Sequence, residues 1–369
     1  MKKLILVSLY VLCNGLVLPF AATAQGVADS ATAAVQKMSD QKGLFDSDKI
    51  LEITLSGNIR DLLNDRSENP KLYPLTLKYK DETNNEISIP AEGKTRGHFR
   101  KLRDNCDYPP LAIHFSNSEI QLSSVFKEQH KLKLVMPCVG DEYVIREWLV
   151  YKIYNLVTPK GFRVRLVKVT LDDAKSKKAA SPFYGILLEE EKQMAKRNGN
   201  VAVVSKIKPD DTDTDAFLTM SVFEYLVGNT DWSVQYLQNI KLIAPDSTAV
   251  PTAVPYDFDH TGLVNAPYAK PAEELLMSSV RQRRYRGYCI TDMKKFDPSI
   301  ALYNRIKNDI YSLYNDCTLL DEKYKKATIK YLDEFYATIN NPVAVKKDFG
   351  YPCEKNGTGN VVIKGLRED

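Results

Sequence analysis

The chain has 369 residues, 44% hydrophobic, 10% aromatic and 27% charged, enough to bury one large core or two cores sharing an interface. That composition excludes a disordered chain, a collagen-like repeat and a polytopic membrane protein. Lys and Arg number 51 against 47 Asp and Glu, a net charge of +4; a dedicated nucleic-acid binder carries a larger basic surplus.

At the N-terminus, Lys2 and Lys3 precede an apolar run from Leu4 to Phe20, and Ala22-Thr23-Ala24 forms a small-x-small cleavage signal before Gln25. Residues 1–24 therefore read as a signal peptide. An uncleaved anchor is the competing reading, and Asn14, Gly15 and Pro19 weaken it. The mature protein is expected to be exported (periplasmic, in the cell envelope or extracellular), with no integral membrane span after cleavage. Five cysteines remain: Cys106, Cys138, Cys289, Cys317 and Cys353. Export permits disulfides, and the odd count leaves at least one thiol unpaired if all pairing is internal. The expected pairing is Cys106 with Cys138, and two of the last three together. No Cys-x-x-Cys occurs, which argues against a zinc site.

Residues 25–47, rich in Ala, Ser, Asp and Gly, read as a mobile leader. From Leu51 the pattern is strand-like: Leu51, Ile53 and Leu55 alternate with polar residues, as do Leu111, Ile113 and Phe115. In His130 to Val135, Lys131 and Lys133 share one face and Leu132 and Leu134 the other. Glu142 to Leu156 has the period of a helix. Val164 and Leu166 then alternate with Arg163 and Arg165, but Val167 and Val169 shift the phase; a bulge or a two-sided strand end accounts for that equally. Residues 172–182 read as a hairpin loop, and Tyr184 to Leu188 as the next strand. Thr212 to Val227, Pro298 to Tyr314 and Leu319 to Ile339 read as helices, the first with acidic residues at its start. The expected layout is an α+β chain in two lobes. A strand-rich N-terminal lobe with one helix spans 48–195, a mainly helical C-terminal lobe spans 196–345, and a tail spans 346–369.

Two stretches carry the chemistry: Leu226-Val-Gly-Asn-Thr-Asp-Trp-Ser-Val-Gln-Tyr-Leu-Gln-Asn239, and Val254-Pro-Tyr-Asp-Phe-Asp-His260. An Asp in a loop after a helix, an Asn leading into a short strand and an Asp after a second strand can converge on one point. That set suits phosphoryl transfer: one carboxylate orients the attacking hydroxyl, while a carboxamide and another carboxylate hold a metal bridging the phosphates. Each residue also has a plainer reading. Asp231, Asp257 and Asp259 suit turns, and Lys131 and Lys133 suit an exposed strand face. Glu147 suits a solvated helix face, and Arg96 and Arg100 suit local ion pairs. The cluster Arg281, Arg283, Arg284 and Arg286 reads either as a dock for an acidic substrate or as a solvated basic loop. There is no His-Glu-x-x-His, Gly-x-Ser-x-Gly or Walker A segment. A paired-carboxylate glycosidase is a weaker third possibility.

These stretches resemble the catalytic loop and metal-binding segment of the CotH-type secreted kinases and, more distantly, of HipA-like kinases. The resemblance extends to Arg96-Gly97-His98-Phe99-Arg100, to the Lys131–Leu149 strand-helix unit and to Tyr184-Gly-Ile-Leu-Leu-Glu189. It implies a protein-kinase-like fold and an ATP- and metal-dependent phosphotransferase acting on a protein hydroxyl, with nucleotidyl transfer possible on the same scaffold. It implies Asp231 as the catalytic-loop Asp, and Asn239 and Asp257 as ligands of Mg²⁺ or Mn²⁺, with Asp259 a further ligand. It implies Lys131 or Lys133 as the phosphate-contacting lysine paired with Glu147, and Arg96 and Arg100 as phosphate contacts. The sequence departs from the family in the long spacing from Asp231 to Asn239, in lacking a Gly-rich nucleotide loop, and in reading Asp-Phe-Asp. These departures keep open a catalytically degenerate binding or envelope-structural protein.

Overall fold

The computed structural model describes residues 42–176 and 180–351. The expected signal peptide, most of the leader and most of the tail lie outside the described residues. Gly43 to Tyr351 belong to one compact unit. Its first half is a seven-stranded barrel of β1 (Leu51–Gly57), β2 (Tyr73–Lys80), β3 (Glu86–Thr95), β4 (Leu111–Phe115), β5 (Lys131–Val135), β6 (Val164–Asp173) and β7 (Phe183–Leu188). The order around the barrel is β1-β2-β3-β4-β5-β7-β6, and β6 closes it by pairing in parallel with β1, Leu51 opposite Val167. All other neighbours in the barrel are antiparallel.

The fold differs from the expected two lobes. The structure is a closed barrel and a small separate sheet, with about 34% helix. A strand-rich lobe holding one helix, followed by a helical lobe, does not describe it. Between the barrel strands lie α1 (Ile59–Asn64), α2 (Glu119–Leu122) and α3 (Asp141–Val157). Helix α4 (Glu191–Arg197) straddles the expected boundary, and the region expected to be helical contains β8 (Val201–Val203), α5 (Thr214–Val227), β9 (Ile240–Ala244) and β10 (Thr252–Pro255). The three strands form an antiparallel sheet in the order β10-β9-β8. Helices α6 (Asp297–Arg305), α7 (Lys307–Asn315), α8 (Glu322–Ile339) and α9 (Pro342–Phe349) follow. The physical reason for the difference is closure. Alternation shows that a strand has two faces, but not that residues more than a hundred positions apart zip in parallel and leave no edge.

Two apolar clusters organise the molecule. Leu55, Leu77, Ile89, Ile113, Leu132, Leu134, Val167, Val169 and Leu187 fill the barrel. Val164, Leu166, Ile186 and Leu188 point outward, into a second cluster with α3, α5, α8 and the small sheet. This explains the phase shift in β6. The strand is unbulged, its pairing with β7 being continuous from Val164 opposite Leu188 to Val169 opposite Phe183, and its two faces serve different cores. Helix α3 is buried on most sides, from Val144 to Val157. Asp213 caps α5 by accepting from the Ala216 N–H at 2.9 Å, and Gly228 closes that helix in the left-handed conformation at φ +70°.

Cys106 and Cys138 form a disulfide; Cys289 is also disulfide-bonded, and Cys317 is free. Among the described residues, no helix is long and apolar enough to cross a membrane.

Candidate functional site

Strand β5 sends Leu132 and Leu134 into the barrel, so Lys133 and Val135 face outward. Beside them, Glu147 and Tyr151 lie one turn apart on α3. The loop after β3 supplies Arg96 to Arg100, and the segments after α5 and β10 supply the rest. Together they enclose a cavity of about 420 Å³ lined by, among others, Arg96, Arg100, Lys133, Glu147, Asp231, Asn239, Asp257 and Asp259. Of the catalytic, phosphate-contacting and metal-holding residues that the resemblance implied, only Lys131 lies outside this lining; it is exposed. Gly97, at φ +87°, turns the loop at the cavity wall, where a Cβ would meet nothing within 4 Å.

Asp231 sits in the loop that follows Gly228. The Asn239 carboxamide donates to the Asp231 carbonyl at 2.8 Å and to its carboxylate at 3.1 Å. The long spacing between them is taken up by a small hairpin, in which Ser233 and Gln238 exchange backbone hydrogen bonds at 2.9 and 3.0 Å. Burial pushes the Asp231 carboxyl up, and Asp257 adds to this; His260, Arg286 and a hydrogen bond from Gln238 oppose it.

Phe258 is buried between Asp257 and Asp259 and packs against Tyr151 and Phe223. Its insertion turns the two carboxylates toward the cavity. The Asp257 N–H donates to the Tyr151 hydroxyl at 2.8 Å. Burial and then Asp259 push the Asp257 carboxyl up, against Arg100, Arg96 and Lys133. Three lining residues carry backbone strain: Leu237 (φ +52°), Asn239 (φ +50°) and Asp257 (φ +66°) all occupy the left-handed region. For Leu237 in particular, which has no short polar side chain to stabilise it, that conformation costs about 1 kcal/mol or more.

The cations are arranged differently from what the resemblance implied. The ion-pair partner of Glu147 is Arg100, at 3.7 Å, rather than Lys133; Arg100 also reaches Asp259 at 3.7 Å and donates to the Met136 carbonyl. Burial works against the Arg100 charge, but Asp259, Tyr268 and Glu147 more than offset it and raise its pKa. Asp259 accepts in addition from the Tyr268 hydroxyl at 3.0 Å. Glu147 is pushed well up by burial and by Asp259, and its Oε1 is buried without a hydrogen-bond partner. Lys133 lies 4.6 Å above the Tyr256 ring. Burial, then Arg96, push its ammonium down to about 7.

Among the described residues, no three His, Cys, Asp or Glu side chains gather as a ready-made metal cage. The donor set nevertheless fits an ion that keeps few protein ligands and takes the rest from phosphate oxygens. Asn239 and Asp257 could hold such an ion, since Asp259 is already engaged by Arg100 and Tyr268. Sequence reasoning missed Phe99, Gln238, Tyr256 and His260, which also line the cavity. His260 adjoins the Asp-Phe-Asp run and could have been found by adjacency. The ring of Phe99 meets it edge-on, with centroids 5.7 Å apart, a contact across 161 residues that nothing in the sequence signals.

None of the four clustered arginines lines the cavity; Arg286 is buried, Arg281 and Arg283 are half-buried and Arg284 is exposed, and each is tied to backbone. Arg281 donates to the Gly262 carbonyl, Arg283 to Leu226, Arg284 to Leu275 and Arg286 to Thr230 and Trp232. They staple backbone.

No protein family and no curated protein matches the chain. Two solved chains do. One is the crystal structure of a Helicobacter pylori proinflammatory kinase, CtkA, at 14% identity and a TM-score of 0.38, covering 69% of this chain and 94% of that one. This is a distant likeness to a kinase, and a score this low establishes no shared fold.

Proposed function

We propose that the cavity is the site of an exported, ATP- and divalent-metal-dependent phosphotransferase whose acceptor is a protein hydroxyl. The observation that carries this reading is the meeting of Asp231, Asn239, Asp257 and Lys133 around one cavity, with Asn239 bonded to the Asp231 carboxylate. Asp231 accepts the hydrogen bond of the acceptor hydroxyl and takes its proton. The acceptor oxygen then bonds to the γ-phosphorus, and the bond to the departing ADP oxygen breaks. The raised Asp231 carboxyl is a better proton acceptor near neutral pH than an ordinary aspartate. Asn239 fixes which oxygen of Asp231 is presented.

Lys133 and Arg96 face the phosphates. Lys133, held near neutrality by burial and Arg96, gains its full charge as a phosphate approaches. Arg100 remains on Glu147 and Asp259 and shapes the wall. The four lining acids and three lining bases nearly cancel, so a triphosphate needs added positive charge. Mg²⁺ or Mn²⁺ held by Asn239 and Asp257 would supply it across the phosphate oxygens.

The test is ADP release and intact mass of the purified protein with ATP and Mn²⁺, beside a thermal shift. The expected result is turnover, with Asp257→Ala losing the metal-dependent shift. Asp231→Asn keeps that shift and loses turnover by about 1000-fold. Addition of AMP in place of phosphate would mean nucleotidyl transfer. Binding with no turnover in the unaltered protein would leave a nucleotide-binding or envelope-structural role.

A further inference from the structure

We infer that Arg286 is the positioning residue for Asp231, a clamp that grips the chain on both sides of it; this rests on the phosphotransfer reading of the cavity. The Arg286 side chain is 5% exposed. Its Nη1 donates to the carbonyl of Thr230, the residue before Asp231, and at 2.9 Å to the carbonyl of Trp232, the residue after it. A single charged donor spanning two carbonyls fixes the peptide planes that flank Asp231, and hydrogen bonds to a charged group are the stronger kind. The opposite side of the loop is held by Asn239, through the Asp231 carbonyl and carboxylate, and by the Asp231 N–H, which donates to the Asn229 side chain at 2.9 Å.

The loop is therefore tied on both sides, and Arg286 aims the carboxylate without lining the cavity itself. Arg286 differs in this from Arg284, an equally polar residue two positions away whose guanidinium holds the Leu275 carbonyl instead. Lysine at position 286 keeps the charge, but its ammonium sits on a shorter, freely rotating stem and does not hold two hydrogens in a fixed plane at the place of Nη1. A displacement of about 1 Å in a catalytic group costs on the order of 100-fold in rate.

The experiment measures ADP release with Mn²⁺ and ATP, and the thermal midpoint, for the full chain and for Arg286→Lys and Arg284→Lys. Both variants are expected to lower the midpoint. Only Arg286→Lys should lower kcat, by about 100-fold, with the KM for Mn²⁺-ATP unchanged within about threefold. If Arg286→Lys does not fold, Arg286→Gln, which keeps a planar donor, is read in its place. Turnover of the Arg286 variant at the unaltered rate, or a fall in kcat shared by Arg284→Lys, overturns the clamp while leaving phosphotransfer standing. An unaltered protein that binds Mn²⁺-ATP and releases no ADP overturns the reading of the cavity, and the clamp with it.

Discussion

On the inner face of β5, Leu132 and Leu134 meet Leu55, Ile113 and Leu187 in an apolar cluster. On the outer face of the same strand, Lys133 looks into a cavity that also holds Asp231, Asp257, Asp259, Glu147, Arg96 and Arg100. The inner face is stabilised by removing apolar area from water, which needs no special geometry beyond packing. The outer face keeps charges where burial disfavours them, and it relies on each having a partner. The difference teaches where the free energy of the fold is gained and where it is spent: β5 gains it with one set of side chains and spends it with the other.

Removing Arg100 should widen this contrast most. Arg100→Met leaves Glu147 and Asp259 facing each other without their shared cation, and an expected loss of about 4 kcal/mol follows, measured by urea unfolding. A loss below about 1 kcal/mol would show that the network does not depend on its arginine. The inner face responds differently. Leu132→Ala should cost about 3 kcal/mol through a cavity in the barrel, while the increment in thermal midpoint added by Mn²⁺-ATP stays as it was. A lost increment would show that the barrel interior and the cavity are mechanically one.

The smallest expected effect concerns Lys133, and its sign follows from proton binding. Its folded pKa lies near 7 and its unfolded value in the ordinary lysine range, so the unfolded chain binds more protons between those values and stability rises with pH there. The penalty is fully present below about 7 and fades toward pH 10. Lys133→Met should therefore stabilise the protein by about 1 kcal/mol at pH 6, and the gain should shrink on titration to pH 10. A gain that is independent of pH would mean that packing, not charge, accounts for it.

Much of the local structure was legible. The alternation at Leu111 to Phe115 and at Lys131 to Val135 marked β4 and β5, and the periodic run from Glu142 to Leu156 marked α3 to within a residue at each end. The closure of β1 on β6 was not legible, because pairing partners are chosen by the whole set of strands and not by either one. The single helix expected over Pro298 to Tyr314 is two, α6 and α7, interrupted at Ile306, an interruption that no Pro or Gly announces.

At the cavity, the residue types that converge on Asp231 were visible as two unusual loops. The Arg100 network was hidden, since Arg100, Glu147 and Asp259 lie on three distant segments and any of them alone reads as a surface charge. The arginines from Arg281 to Arg286 looked like a surface feature because four cations in six residues normally repel into solvent. Backbone carbonyls bind all four here, although Arg284 stays exposed.

The Ser233–Gln238 hairpin closes on itself through two reciprocal backbone bonds, and its Gln235 is exposed. Its length is thereby uncoupled from the distance between Asp231 and Asn239, which depends on the stem alone. A tag or reporter peptide grafted at Gln235 should ride on the outside of the molecule with the residues below it undisturbed, giving a handle for immobilising or imaging the protein in its working form.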